Sequence, residues 1–383
     1  MTIRREAEAF ASAHHGETLQ LLRDLAAIPA PTGREEKRAA FVKGWLLANG
    51  AQEEQVRIDR AGNVVFRLEG RISGKYSVIM AHMDTVFPDT EPLEVREDSQ
   101  NMYAPGIGDN TANLVNMLMA ARFLIEHPEI VRHRSILFVA DTCEEGLGNL
   151  KGCRQIFADF GSRITSFIAF DLYLDTIVER AVGSRRYRIT ARTMGGHSLQ
   201  NFGNKSAIKV LAELIVDLYA QKLPLEGKTV YNVGTIEGGT SVNAIPEYAS
   251  MLYEFRADLP SSMRRMDANL TELVEKRLCY DVQIESELLG ERPCGLETDS
   301  GAAARFRAQN EYVLSNANSG ELHIMLGSTD ANIPLSMGIP AVTFGTVSGG
   351  NLHTRREWIE KKSLIAGQAA AIIAVCQSLQ QVI

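Results

Sequence analysis

Five segments of the chain carry histidine or carboxylate side chains, several of them directly behind apolar, strand-like runs. His82-Met83-Asp84 closes the run 76–81, and in extended chain residues i and i+2 point the same way, so His82 and Asp84 can act together. Gly106-Ile107-Gly108-Asp109-Asn110-Thr111 leads into a helix from Asn113; its glycines allow close backbone approach, and Asp109 taken alone reads as a helix cap. Asp141-Thr142-Cys143-Glu144-Glu145-Gly146 follows the run 135–140 and sets three acids within five residues, with no basic residue before Lys151. That repulsion is reduced by solvent and removed by a bound cation. Asp171 follows the run 166–170, and His353 lies in the glycine- and serine-rich loop 345–354. Each has an ordinary structural explanation by itself. Together they form an imidazole and carboxylate set without thiolate, which suits Zn²⁺ and also Co²⁺ or Mn²⁺.

The elements around these segments explain how they converge. Residues 4–27 read as an amphipathic helix, and Thr32-Gly33-Arg34-Glu35 as a capping box that starts a second helix ending at Gly50. Strands at 63–68, 76–81, 135–140 and 166–170 alternate with helices at 113–127 and 150–160. Buried strands between helices predict an α/β sheet covered on both faces, and such sheets bind ligands at the carboxyl ends of their strands. From about Ser184 the order becomes strand 186–193, helix 206–219, strands 229–236 and 247–257, helix 263–278 and strand 282–288. That is the β-α-β-β-α-β split arrangement of a ferredoxin-like domain. Helix and strand alternate again after Glu297, with strands 322–326 and 341–344 and a closing helix 362–379. The reading is a catalytic domain of residues 1–183 and 297–383 with an α+β insertion at 184–296.

Composition narrows the classes. A chain of 383 residues suits two domains, and a net charge of −7 argues against nucleic acid as a partner. The longest apolar runs, such as 369–375, fall short of the ~20 residues that cross a bilayer, and no apolar stretch follows the charged N-terminus as in a signal peptide. Five scattered cysteines without a C-x-x-C pair fit a reducing compartment, so a cytoplasmic protein without membrane association is expected. The remaining histidines (His14, His15, His127, His133, His323) lack an acidic partner at ligand spacing or sit in solvated helices, and Met117-Leu118-Met119 reads as helix core.

The order H-x-D, G-x-G-D, E-E-G, a strand-end acid, G-G-H and a late histidine in a glycine-rich loop resembles one dizinc metallopeptidase family. That family includes glutamate carboxypeptidase, peptidase T, the aminoacylases and acetylornithine deacetylase. The resemblance spans about residues 28 to 358 and implies a zinc-peptidase catalytic domain, a mixed sheet flanked by helices, with a ferredoxin-like lid inserted and often used for dimerisation. Carried over by position, it implies that Asp109 bridges two zinc ions, with His82 and Asp171 completing one site and Glu145 and His353 the other. Asp84 would hold the second ring nitrogen of His82, and Glu144 would be the general base toward a metal-bridging water. In the lid, His197 of Met194-Gly195-Gly196-His197-Ser198 would stabilise the oxyanion, from the partner subunit in dimeric members. Asn243 and Arg256 would bind substrate, Arg256 through a carboxylate. Gly327 and Ser328 match a substrate loop. A salt bridge with Glu254 or Asp258 is the structural alternative for Arg256. Asn110-Thr111 departs from the acid or lysine that many relatives have there, which leaves the ligands intact but removes a substrate contact. Asp171 stands where some relatives use Glu.

The expected function is a two-metal hydrolase cleaving amide bonds of small peptides, a di- or tripeptidase. An N-acyl or N-carbamoyl amino-acid amidohydrolase is the alternative with the same metals. A catalytically silent binding protein on the same fold is the third reading, and the presence of Glu144 and both metal histidines speaks against it.

Overall fold

The computed structural model describes residues 3–132, 134–296, 300–318 and 320–380. His133 and residue 297, where the expected insertion gives way to the catalytic domain, lie outside them. By its internal contacts the chain divides into two compact units, Met1–Arg180 with Thr298–Ile383, and Ala181–Glu297.

The first unit is built on an eight-stranded sheet. Its order is Val56–Ile58, Val64–Leu68, Arg134–Asp141, Ile72–His82, Ile164–Phe170, Ala341–Phe344, Thr176–Ala181 and His323–Gly327. The third to sixth of these are parallel neighbours. Side chains alternate between the two faces. Ile79, Ala81, Ile136, Phe138, Ile168, Phe170, Val342 and Phe344 join the core under helices Asn113–Glu126 and Ser363–Gln380. Val78, Met80, Leu137, Val139, Phe167 and Ala169 join a second core with helix Lys151–Phe160. Burial on both faces explains why these strands read as continuous apolar runs. Being parallel, they deliver His82, Asp141, Asp171 and the loop after Phe344 to the same edge of the sheet.

Several local expectations are corrected. The helix expected over 4–27 is two helices, Ile3–Ala13 and His15–Ala27. His14 stands at the break, with its ring 4.1 Å from that of Phe10 and its Nδ1 2.9 Å from the Phe10 carbonyl. Helix Glu36–Ala48 has no side-chain cap. Thr32 and Glu35 face other loops instead, as described below. The strand Thr176–Ala181 was not foreseen, nor was a small sheet of Gly349–Gly350, Trp358–Glu360, Asn101–Tyr103 and Arg96–Glu97, whose runs of two or three residues carry no periodicity. The helix Ser363–Gln380 is long and apolar enough to cross a membrane, but 78% of it is buried within the fold.

The second unit has the β-α-β-β-α-β order: Gly183–Thr193, Ala207–Ala220, Thr229–Gly238, Tyr248–Ala257, Pro260–Glu275 and Val282–Arg292. The sheet is antiparallel, with Thr229–Gly238 at one edge and Val282–Arg292 at the other. Ile189, Ala191, Met251, Tyr253 and Phe255 meet Leu211, Leu214, Leu218, Met266 and Leu270 from the helices. Ser206 caps the first helix at the Lys209 N–H, and Pro260 opens the second, where its missing N–H costs nothing.

One close approach ties the closing helix to the functional edge. A Cβ on Gly367 would lie 1.6 Å from the Thr346 carbonyl oxygen, which already accepts from Asn116 Nδ2 at 2.8 Å. Both are backbone-anchored and cannot swing aside. Gly367→Ala is therefore expected to destabilise the fold by ~1–3 kcal/mol, measured by urea unfolding; wild-type stability would show that the loop from Phe344 yields freely.

Candidate active site

The acidic turn after strand Arg134–Asp141 has no ladder to satisfy its backbone, and other segments do so. Four consecutive N–H groups are each accepted by a side chain: Thr142 by Asn63 Oδ1 at 3.1 Å, Cys143 by Glu35 Oε1 at 3.1 Å, Glu144 by Asp84 Oδ1 at 3.0 Å and Glu145 by Asp84 Oδ2 at 3.0 Å. Cys143 takes a left-handed conformation, φ 59°, which turns the chain between Asp141 and the two glutamates. Thr32 donates to Asp84 Oδ2 at 2.9 Å, and Glu35 also accepts the Gly33 N–H at 2.7 Å. The Thr32/Glu35 pair thus fixes the Glu144–Glu145 turn rather than capping a helix.

Asp109 lies in a wide turn, Ile107–Ala112, just before helix Asn113–Glu126, with φ −109° and ψ 92°, so it does not cap that helix. The Asp109–Asn110 peptide bond is cis. Neighbours hold the turn on several sides. Asn110 Nδ2 donates to the Phe170 carbonyl at 2.7 Å and Asn113 Nδ2 to that of Leu172 at 2.9 Å, which binds the turn to the segment bearing Asp171. The Glu357 carboxylate accepts from Gly106, Gly108 and Asp109 N–H at 2.9, 2.9 and 2.7 Å. Fully buried Arg38 donates to the Ile28 and Met83 carbonyls and to Thr111 Oγ1, linking this turn to the end of strand Ile72–His82.

The carboxylate of Asp109 faces two ways. Its Oδ1 is 3.1 Å from His82 Nε2 and its Oδ2 is 2.9 Å from His353 Nε2. Asp171 Oδ1 lies 3.9 Å from the same nitrogen of His82, and Glu145 Oε1 lies 3.1 Å from that of His353. The ligand atoms of His82, Asp109 and Asp171 fall within 4.8 Å of one another, as do those of Asp109, Glu145 and His353. Glu144 joins His82 and Glu145 in a third such group. None of Asp109, Glu144, Glu145 and Asp171 is more than 8% exposed. His82 Nδ1 lies 3.0 Å from the main-chain oxygen of Asp84 and 3.5 Å from its Oδ1. A carbonyl only accepts, so Nδ1 carries a proton and Nε2 is the ring nitrogen that faces the carboxylates. Asp84 thus orients the ring chiefly through its backbone, while its carboxylate serves the Glu144–Glu145 turn.

The protonation pattern fits a cation site. Burial pushes His82 down, but Asp109, Asp84 and Asp171 outweigh it and hold the ring well above its usual pKa. Hydrogen bonds donated by His353 to Asp109 and Glu145 push its ring up to about 10. Burial and the charge of Asp109 push Asp171 up to about 7. Asp109 is itself buried, yet the two imidazoles hold it below the usual carboxylate range. Protons on the two Nε2 atoms therefore stand between each imidazole and a pair of carboxylates, where the donor set of nitrogen and oxygen would otherwise bind a divalent ion. Cys143 adds no thiolate, since burial and Glu35 push it up to about 12. Among the other histidines, His323 meets Asp175 at 3.9 Å on the surface.

Comparison with known proteins bears on the class of this site. The profile of peptidase family M20/M25/M40 matches residues 78–375. The chain belongs to this family, and with it to the hydrolases. This M20 chain is similar to a succinyl-diaminopimelate desuccinylase of Corynebacterium glutamicum, 25% identical over 89% of the chain and 91% of that protein. An acetylornithine deacetylase of Myxococcus xanthus is also 25% identical, over 88% of the chain and 90% of that protein. A tripeptidase structure from Staphylococcus aureus shares the fold, with a TM-score of 0.76 and 23% identity over 96% of this chain and 99% of the other.

The remaining site candidates of the M20 chain are described within their own units. In the second unit, His197 pairs with Ala244 in a short ladder, and it lines a cleft of about 540 Å³ together with Asn243. His197 Nδ1 accepts the N–H groups of Leu199 and Gln200 at 3.2 and 3.4 Å, which leaves the ring proton on Nε2. Arg256 instead makes two hydrogen bonds to Glu254, at 2.9 and 3.1 Å, the pairing that its strand neighbours allowed from the start. In the first unit Gly327 packs on Val178, and the turn after Ser328 is closed by Thr329 N–H on Asn332 Oδ1 at 2.9 Å. Asn110 and Thr111 serve the backbone, since Thr111 Oγ1 donates to the Gly106 carbonyl at 2.6 Å. Glu35, Arg38 and Glu357 were not foreseen as site residues. The only signal was Glu357 standing four residues after His353 and next to an apolar pair, which a surface acid shares.

Without a cation, Asp171 and His353 both hold protons more tightly folded than unfolded. Their stabilisation is complete at low pH and lost as pH rises, from 3.8 to about 7 for Asp171 and from 6.5 to about 10 for His353. The thermal midpoint of the metal-stripped protein should therefore fall between about pH 6 and about pH 9, and a divalent cation should raise it more at the upper end. A flat or rising midpoint, or an equal increment at both ends, would contradict this protonation pattern.

Proposed function

We propose that the chain is a two-metal hydrolase that cleaves the amide bond of small peptides, in the manner of a di- or tripeptidase. The observation that carries this reading is the two-faced carboxylate of Asp109, with an imidazole and a further carboxylate at each oxygen. His82, Asp109 and Asp171 would hold one ion and Asp109, Glu145 and His353 the other, with zinc the first candidate and cobalt or manganese also suited to these donors. Ions held there supply Lewis acidity toward the scissile carbonyl and make water acidic enough to attack at neutral pH.

The chain's own groups do the rest. Glu144, buried and anchored through its backbone by Asp84, takes a proton from the attacking water and returns it to the leaving amine. His197 offers its Nε2 proton to the developing oxyanion. Arg256 takes a substrate carboxylate, exchanging part of its pairing with Glu254, and Asn243, Gly327 and Ser328 contact the substrate's polar groups. A homodimer through the second unit is part of the proposal, since the edge strand Thr229–Gly238 presents exposed Val230 and Ile236. A cytoplasmic setting is supported by five free cysteines, four of them buried.

The similarity to the desuccinylase favours one second reading, an N-acyl or N-carbamoyl amino-acid amidohydrolase with the same metal ligands. Metal content and hydrolysis measured on one preparation test the common core. About two ions per chain are expected, and Glu144→Ala should keep them while losing about 10²–10⁴-fold in kcat. His197→Ala should likewise keep its metal and lose turnover. Di- and tripeptides set beside succinyl-, acetyl- and carbamoyl-amino acids decide the substrate class. A native chain that takes up no metal would end the proposal.

A further inference from the structure

Glu357 is a buried carboxyl group at a place where the candidate ligand set itself carries several carboxylates, and no guanidinium or ammonium pairs with it among the described residues. Burial and the neighbouring Asp109 push its carboxyl up to about 8. What holds it is backbone: three N–H groups of the turn that carries Asp109.

Its own position in the chain explains the arrangement. Gly350 pairs with Trp358, so residues 351–357 form a tight loop, and His353 sits within it. Trp358 in turn pairs with Tyr103, so the chain leaving Tyr103 toward Asp109 runs beside the chain arriving from His353. Glu357 stands at that junction. Its backbone belongs to the His353 loop, with its N–H on the Thr354 carbonyl at 3.1 Å, and its carboxylate belongs to the Asp109 turn. The space around it is closed. A Cβ on Gly108 would lie 2.9 Å from Glu357 Oε1 and 2.8 Å from Tyr173 Cε1.

We infer that Glu357 is a positioning residue that fixes Asp109 relative to His353 and so sets the geometry of the cation site formed by Asp109, Glu145 and His353. This inference rests on the two-metal reading above and adds a residue that touches neither ion nor substrate. The three ligands of that site come from three separate loops. Glu145 is fixed by Asp84, and Asp109 is fixed against Asp171 by Asn110 and Asn113. His353 is the exposed ligand and stands in a left-handed conformation, φ 59°. The carboxylate of Glu357 joins its loop to the bridging aspartate. The other site, with His82 and Asp171, is held by the Asn110, Asn113 and Arg38 contacts and depends less on Glu357.

Glu357→Gln keeps the size but offers one accepting oxygen and brings an NH₂ group against N–H donors. Gly108→Ala disturbs the same contact without altering charge. Metal-stripped proteins, native and variant, are titrated with Zn²⁺ against a chromophoric chelator, and the cobalt-loaded forms are compared by their visible spectra. Both variants should bind one of the two ions about 10–100-fold more weakly than the native chain and the other nearly as well, with a changed cobalt spectrum. Glu357→Asp, which keeps the carboxyl group with a shorter reach, should fall between. A metal-free variant that is less stable but binds both ions with native affinity and an unaltered spectrum would make Glu357 a structural brace only and overturn the inference. A native chain that binds no zinc would remove the two-metal reading itself, whereas native affinity for both ions in the variants removes only this role of Glu357.

Discussion

A carboxylate buried among other carboxylates is costly unless positive charge reaches it, and Asp109 is such a group with both oxygens committed. One oxygen looks toward His82 and Asp171, the other toward His353 and Glu145. The rest of the first unit serves that constraint. Four parallel strands bring their carboxyl ends to one edge, so residues far apart in the chain arrive within a few ångströms. Two apolar cores, one on each face of the sheet, keep that edge from shifting.

Strand ends alone do not aim side chains, because the loops that follow have lost their ladder. In this chain the aiming is done by polar side chains that accept backbone N–H groups. Asn63, Glu35 and Asp84 take four N–H groups in succession and so fix where Glu144 and Glu145 point. Glu357 does the same for the turn of Asp109, and Arg38 donates to the Met83 carbonyl and the Thr111 hydroxyl between the two. Buried polar groups satisfied in this way are rigid, which is what a site needing fixed ligand distances requires. Membership in the M20 hydrolases and the placement of these groups are then consistent with one another.

The segments of His82, Glu144–Glu145 and Asp171 stood out in the sequence because each directly follows an apolar run buried on both faces of the sheet, whereas Asp109 and His353 sit in glycine-rich loops. The second unit was legible because its strands alternate and its helices carry a clear apolar stripe. The groups that aim the ligands were not legible. Glu35 acts on residue 143 and Glu357 on residues 106 to 109, and nothing in local spacing signals a contact over such separations. Thr32 and Glu35 matched a helix cap by spacing, but burial beside Asp84 and Cys143 gave them stronger partners. The break at His14 was hidden because both helices share one apolar side. Arg256 shows the limit in the other direction. Its pairing with Glu254 follows from i,i+2 neighbours on one strand face, and sequence alone leaves open whether a substrate displaces it.

The most direct test is metal stoichiometry across three ligand variants. If Asp109 serves both ions, Asp109→Ala should lose both, whereas Asp171→Ala and Glu145→Ala should each retain about one ion per chain. Equal single losses for all three would contradict a shared carboxylate and with it the account of the site.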